Sequence, residues 1–117
     1  MNNKDTGFLG ENIAADYLIS KGFTIIERNW RYKHLEIDII AHHAGLLHIV
    51  EVKTRSNIQF GYPEQQVSPY KLKLLKNAAA MYQYQYPIWK YIQFDIIAIH
   101  KKLHENWEIL FFEDVFF

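Results

Sequence analysis

Apolar positions along the chain switch between helical and strand periods. Ile13, Ala14, Tyr17 and Leu18 recur at helical spacing and predict a first helix over Gly7–Lys21. Asp5 or Thr6 can cap its start, and Gly22 suits a left-handed stop. Phe23–Glu27, Leu35–Ala41 and Leu46–Thr54 read as three strands, the last two joined by a hairpin through the polar stretch His42–Gly45. Ser56–Val67, with Gly61 and Pro63, reads as a loop. Ser68 then caps a second helix with Pro69 at its first position. Leu72, Leu75, Ala79, Tyr82 and Tyr86 form its apolar face, and Pro87 ends it. Ile92–His100 and Trp107–Phe112 make a final antiparallel pair, turning through Lys101–Asn106. The order α-β-β-β-α-β-β predicts an α/β domain: a mixed sheet with helices packed on it.

Size and composition agree. The 117 residues make one domain, half of them hydrophobic and 16% aromatic, which excludes a disordered chain. The absence of cysteine removes disulfides and thiolate metal sites and fits a reducing compartment. Met1–Thr6 lacks the apolar core of a signal peptide, and no apolar run is long enough for a membrane span, so a cytoplasmic protein is expected. Formal net charge is zero, but it is unevenly spread. Lys53, Arg55, Lys71, Lys73, Lys76 and Lys90 face a single acid, Glu64, in the middle of the chain. Arg28, Arg31 and Lys33 form a second basic cluster, and the tail from Glu105 is acidic. The middle of the chain is therefore expected to present a basic surface, with Lys71, Lys73, Arg55 and Arg31 as nucleic-acid contacts.

The third strand carries the first chemical signal. Leu47 and Ile49 share a face with Glu51 and Lys53, so an apolar face turns charged at its C-terminal end. A lone Glu-x-Lys reads plainly as an ion pair at a sheet edge. The second strand changes that picture, because Asp38 interrupts an apolar run and strand interiors disfavour Asp. An even-length turn centred on Ala44–Gly45 would set opposite each other positions whose numbers sum to 89, placing Asp38 against Glu51. Like charges so opposed are destabilising, and a divalent cation reverses that penalty. Two carboxylates suit Mg²⁺, and Lys53 beside them can orient water or stabilise developing charge. The alternative is a buried structural charge cluster. On helical wheels Glu11 lies at the edge of the first helix's apolar stripe, and Lys71 on the apolar side of the second, so both can reach this site.

At these residues the sequence resembles a known family. Gly10-Glu11 with Ala14, Tyr17-Leu18, Gly22-Phe23, Arg28-Asn29-Trp30-Arg31, Glu36-Ile37-Asp38, Val50 to Arg55, Gly61 with Pro63, Lys71, Ala78-Ala79 and Phe94-Asp95 are similar to the YraN-like family. These are small bacterial proteins placed in the PD-(D/E)xK nuclease-like superfamily, with a layout similar to archaeal Holliday junction resolvases. The resemblance implies a restriction-endonuclease-like fold with a central sheet of about five strands. It implies that Asp38 and Glu51 are metal ligands, with the Val52 carbonyl a third. Lys53 would be the catalytic lysine and Glu11 an accessory acid. Leu35 departs from the pattern, standing where relatives often carry glycine.

Other candidates read as structural. His42 and His43 diverge in a turn with no third ligand and are expected to be solvated. Asp95 is expected to hold a structural hydrogen bond, Tyr82 and Tyr86 to pack in the core, and Trp30 and Tyr32 to pack against the sheet rather than stack on bases. The tail Trp107–Phe117 holds five aromatics, and it either folds back on its own sheet or covers a second copy or another protein. A metal-dependent nuclease using Mg²⁺ or Mn²⁺ on DNA, at branched or damaged structures, is the first functional expectation. A non-catalytic nucleic-acid-binding or assembly domain is the second. A small-molecule phosphoesterase lacks a phosphate-cradling glycine loop.

Overall fold

Ser68 opens the second helix as its sequence demands. Its extended backbone (φ −69°, ψ 157°) places the hydroxyl to accept from the Lys71 N–H, with proline next in line. The computed structural model describes residues 3–55, 68–101 and 106–115. Its elements are α1 (Asn3–Ser20), β1 (Thr24–Tyr32), β2 (Leu35–His43), β3 (Leu46–Arg55), α2 (Pro69–Gln85), β4 (Ile92–Lys101) and β5 (Trp107–Phe112). This is the order the hydrophobic pattern predicts. Helix α1 stops at Gly22, whose φ of 93° is open to glycine, and the Phe23 N–H returns to the Leu18 carbonyl at 3.0 Å.

The five strands form one sheet in the order β1-β2-β3-β4-β5. Three neighbouring pairs are antiparallel, while β3 and β4 run parallel and are joined through α2. This is the layout expected of a restriction-endonuclease-like domain. The turn between β2 and β3 is the two residues Ala44 and Gly45, both with positive φ. It sets the expected register, from His43 opposite Leu46 to Ile39 opposite Val50.

A helix covers each face. Ala14, Leu18 and Phe23 pack on Ile39, Ala41, Val50, Ile97 and Ile99. Leu75, Ala78, Ala79 and Tyr82 pack on Ile37, Ile40, Leu47, Ile49 and Phe94. Strands β3 and β4 are thus covered on both sides, which explains their near-continuous apolar sequence. Each fully buried Leu or Ile contributes about 1.5–3 kcal/mol.

Several boundaries differ from expectation. Helix α1 begins at Asn3, so Asp5 and Thr6 lie inside it rather than at its cap. Strand β1 runs on to Tyr32, because Ile26, Trp30 and Tyr32 find apolar partners under α2. Its irregular register, with a bulge between Ile25 and Glu27, obscures the period in the sequence. Strand β2 extends through both histidines, which are half-buried rather than solvated: His43 stacks on Phe23 at 4.3 Å and His42 tilts against Trp89. Tyr82 is buried as expected, whereas Tyr86 is exposed at the helix end and touches Tyr82. In the tail, Trp107, Ile109 and Phe111 pack on the α1-side core, and the Val115 N–H reaches the Phe94 carbonyl. The Ser56–Val67 loop, the tip of the β4–β5 turn, and Phe116 and Phe117 lie outside the described residues.

Candidate metal centre

The β2–β3 pairing ends at Ile39 and Val50, one residue before Asp38 and Glu51. The alternation of faces also slips there. Ile39 and Ala41 face α1, yet Ile37 packs under α2. Strand β1 slips beside it: Arg28 donates to Asn12 of α1, whereas Trp30 packs edge-on against Tyr82 of α2. The residue between them, Asn29, sits in the left-handed region (φ 55°), which Asn tolerates better than most. Asp38 therefore occupies the gap where β2 leaves β3. Its Oδ2 accepts the Val52 N–H at 2.8 Å, taking the place of a ladder bond. A residue's N–H and C=O share one strand edge, so the Val52 carbonyl faces the same gap.

Carboxylates crowd around this point. Oxygen atoms of Glu11, Glu36 and Asp38 lie within 4.8 Å of one another. Helix α1 brings Glu11 in because Gly10 has no side chain: a Cβ there would stand 2.0 Å from Thr54 Oγ1 of β3. The Asn29 amide donates to both Glu11 Oε1 (2.9 Å) and Glu36 Oε1 (2.6 Å), and Arg31 pairs with Glu36 at 2.9 Å. On the other side of Asp38, buried Glu51 receives Lys71 Nζ at 2.7 Å and Lys53 Nζ at 3.6 Å.

The electrostatics follow from this crowding. Burial, with the nearby Glu51 charge and then Glu11, pushes the Asp38 carboxyl up to about 8, despite the Val52 N–H that favours its anion. Burial also lowers Lys53, with neighbouring Lys71 adding to the fall and Glu51 opposing it. For Lys71 burial again pulls down, but the hydrogen bond to Glu51 and the Glu51 charge prevail and raise it. Near neutral pH the centre thus holds a protonated Asp38 beside several further acids. That donor set fits a hard divalent cation, which binds carboxylate oxygens and replaces the proton.

Asp38, Glu51, Lys53, Glu11 and Lys71 meet around one gap, with the Val52 backbone at its edge. The tightest acid group differs from the expected pair: Asp38 sits with Glu11 and Glu36, while Glu51 is held by lysines. Of the expected nucleic-acid contacts, Lys71 is engaged by Glu51, Arg31 is paired with Glu36 but largely exposed, and Lys73 is exposed. The Arg55 side chain lies outside the described residues. Sequence reasoning assigned no role to Asn29 or Glu36. The signal available was a polar residue inside each of two strands, at positions that strands disfavour.

Asp95 belongs elsewhere, buried among β4, β3 and the tail. It meets His48 Nδ1 at 2.6 Å and accepts from the Gln93 amide and the Asp114 N–H.

Comparison with known proteins places the chain. A family model described as uncharacterised protein family UPF0102 matches residues 10–99. UPF0102 protein FP2501 of Flavobacterium psychrophilum is 44% identical, over 98% of this chain and 96% of its own. UPF0102 protein CD630_12710 of Clostridioides difficile is 46% identical, over 86% and 89%. Among solved structures, the chain is similar to Pyrococcus furiosus SfsA in complex with Ca²⁺, at a TM-score of 0.40 and 15% identity. That match covers 96% of this chain but only 64% of SfsA, and a likeness so distant carries no functional argument. With most of its length matched by the family model and by relatives above 40% identity, the chain belongs to the UPF0102 family.

Proposed function

We propose that this centre binds a divalent cation, Mg²⁺ or Mn²⁺, and hydrolyses phosphodiester bonds in DNA. The observation that carries the reading is Asp38: a carboxylate in a split between two strands, grouped with Glu11 and Glu36, its pKa raised by burial and then by the Glu51 and Glu11 charges. Such crowding is destabilising in itself, and proteins retain perturbed groups of this kind at functional sites. Asp38, Glu11 and Glu36 would hold the cation, with Glu51 and the Val52 carbonyl beside them. The ion supplies Lewis-acid polarisation of a phosphoryl oxygen and a lowered water pKa. Lys53, whose pKa is lowered, can give a proton or hydrogen bond to an oxygen that gains charge. Lys71 is kept cationic and holds Glu51 in place.

The test is cleavage of flap, junction, single-stranded and duplex DNAs with Mg²⁺ or Mn²⁺. Wild type should cut at least one of them, and Asp38→Ala, Glu51→Ala or Lys53→Ala should each lose at least about 100-fold in rate. Equal cleavage by Asp38→Ala and wild type rejects the reading. The Lys71–Glu51 ion pair favours a second reading, a nucleic-acid-binding domain whose charges are structural. In that case DNA binds without being cut, and Asp38→Ala leaves affinity unchanged.

A further inference from the structure

A cleft of about 470 Å³ opens between α2 and the β1–β2 turn. Its helix side is the stripe Tyr70, Leu74, Asn77, Met81 and Tyr84, spaced four and three residues apart and lying off the core face of Leu75, Ala78, Ala79 and Tyr82. Its strand side is Tyr32, Lys33, His34 and Leu35. Tyr70 and Tyr84 are 73% and 81% exposed, so two aromatic rings stand in solvent at either end of the stripe. Their Cα atoms are separated by about 21 Å of helix.

Among the described residues, those that line this cleft include a lysine and no acid. Lys33 lies over the Tyr32 ring at 5.3 Å, and α2 carries Lys71, Lys73 and Lys76 with no acid anywhere in its length. A stripe with this spacing also suits a second helix. Pairing with another copy would bring two acid-free lysine-bearing helices together, with five stripe residues each to offset the repulsion. A polyanion meets the same lysines favourably, and exposed rings beside a basic groove are what unpaired bases stack upon.

Two lining residues are chain neighbours of the candidate site: Leu35 precedes Glu36, and Tyr70 precedes Lys71, which holds Glu51. We infer that the cleft between α2 and the β1–β2 turn seats a single-stranded segment of nucleic acid, its bases stacked on Tyr70 and Tyr84 and its phosphates near Lys33 and Lys73. The Asn77 amide, midway along the stripe, is placed to meet a base edge. This deepens the nuclease reading and rests on it, since it names unpaired strands as the form of substrate brought to the carboxylates.

Fluorescence anisotropy of labelled oligodeoxythymidine and of a duplex of equal length, with EDTA present to prevent cleavage, tests the inference. Wild type should prefer the single strand. Tyr70→Ala and Tyr84→Ala should each weaken single-strand binding about tenfold while leaving duplex binding and Tm unchanged, and Tyr70→Phe and Tyr84→Phe should retain it. Wild-type affinity in both alanine variants overturns the inference, as does an equal affinity for duplex. A dimer seen by light scattering, lost in Tyr84→Ala, overturns it in favour of a second copy. The nuclease reading stands or falls separately, on whether Asp38→Ala still cleaves.

Discussion

Asp38 stands where a strand would ordinarily place an apolar side chain, and it is tolerated because it accepts the Val52 N–H that β2 no longer satisfies by backbone pairing. Asp38→Asn keeps an acceptor for that N–H and removes the capacity to ionise. Calorimetry should therefore show Mn²⁺ binding lost in the variant while the cation-free protein stays folded. Binding equal to wild type would remove Asp38 from the ligand set. Asp95 is the opposite case, a buried carboxylate with every role internal. Its partners are His48, Gln93 and the Asp114 N–H, and His48 Nε2 has no protein partner among the described residues. Asp95→Ala would orphan the His48 Nδ1 side as well and release the tail at Asp114. Urea denaturation should show a loss of about 2–4 kcal/mol, with little change in Mn²⁺ affinity beyond that from instability.

Among the elements, α1 is held close to the sheet by one missing side chain. Gly10→Ala would press a methyl group against Thr54, with the nearest atoms 2.0 Å and 3.2 Å away. Rotating the Thr54 hydroxyl relieves only the first of these, so the helix must lift. We expect a loss of about 1–3 kcal/mol by thermal melting, and weaker Mn²⁺ binding because Glu11 moves with the helix. A variant with wild-type stability and affinity would show that the helix seats without needing this contact. Helices and central strands were legible in the sequence because period, capping and turn chemistry agree at Ser68-Pro69, Gly22 and Ala44-Gly45. The even turn sets the register only as far as Ile39 opposite Val50; Asp38 then leaves the ladder instead of pairing with Glu51, though it stays near the Glu51 charge. What remained hidden was set by irregularity. The Ile26 bulge and the left-handed Asn29 disturb the two-residue period of β1, so the predicted strand ends at Glu27 and misses its second half. Glu36 has no partner legible in the sequence, because the Asn29 amide that holds it beside Glu11 lies in that irregular stretch.

For the molecule as a whole, the buried Asp38 carboxyl ties stability to pH. Asp38 ionises at 3.8 in its ordinary state and near 8 in the fold, so between these values the folded protein binds a proton that the unfolded chain has released. Stability from this group is complete below pH 3.8 and is lost as pH rises toward about 8. A divalent cation works in the other direction, because it binds the ionised carboxylates and expels that proton. The rise in Tm on adding Mn²⁺ should therefore be small near pH 5.5 and grow toward pH 8. At a cation concentration roughly 100 times its dissociation constant the gain should approach about 2.7 kcal/mol. In Asp38→Asn the pH-dependent part of both effects should vanish: the cation-free variant should lose less stability toward alkaline pH than wild type, and Mn²⁺ should leave its Tm unchanged. A Tm increment that is independent of pH in wild type would mean that cation binding does not displace the Asp38 proton, and would place the ion away from the gap between β2 and β3.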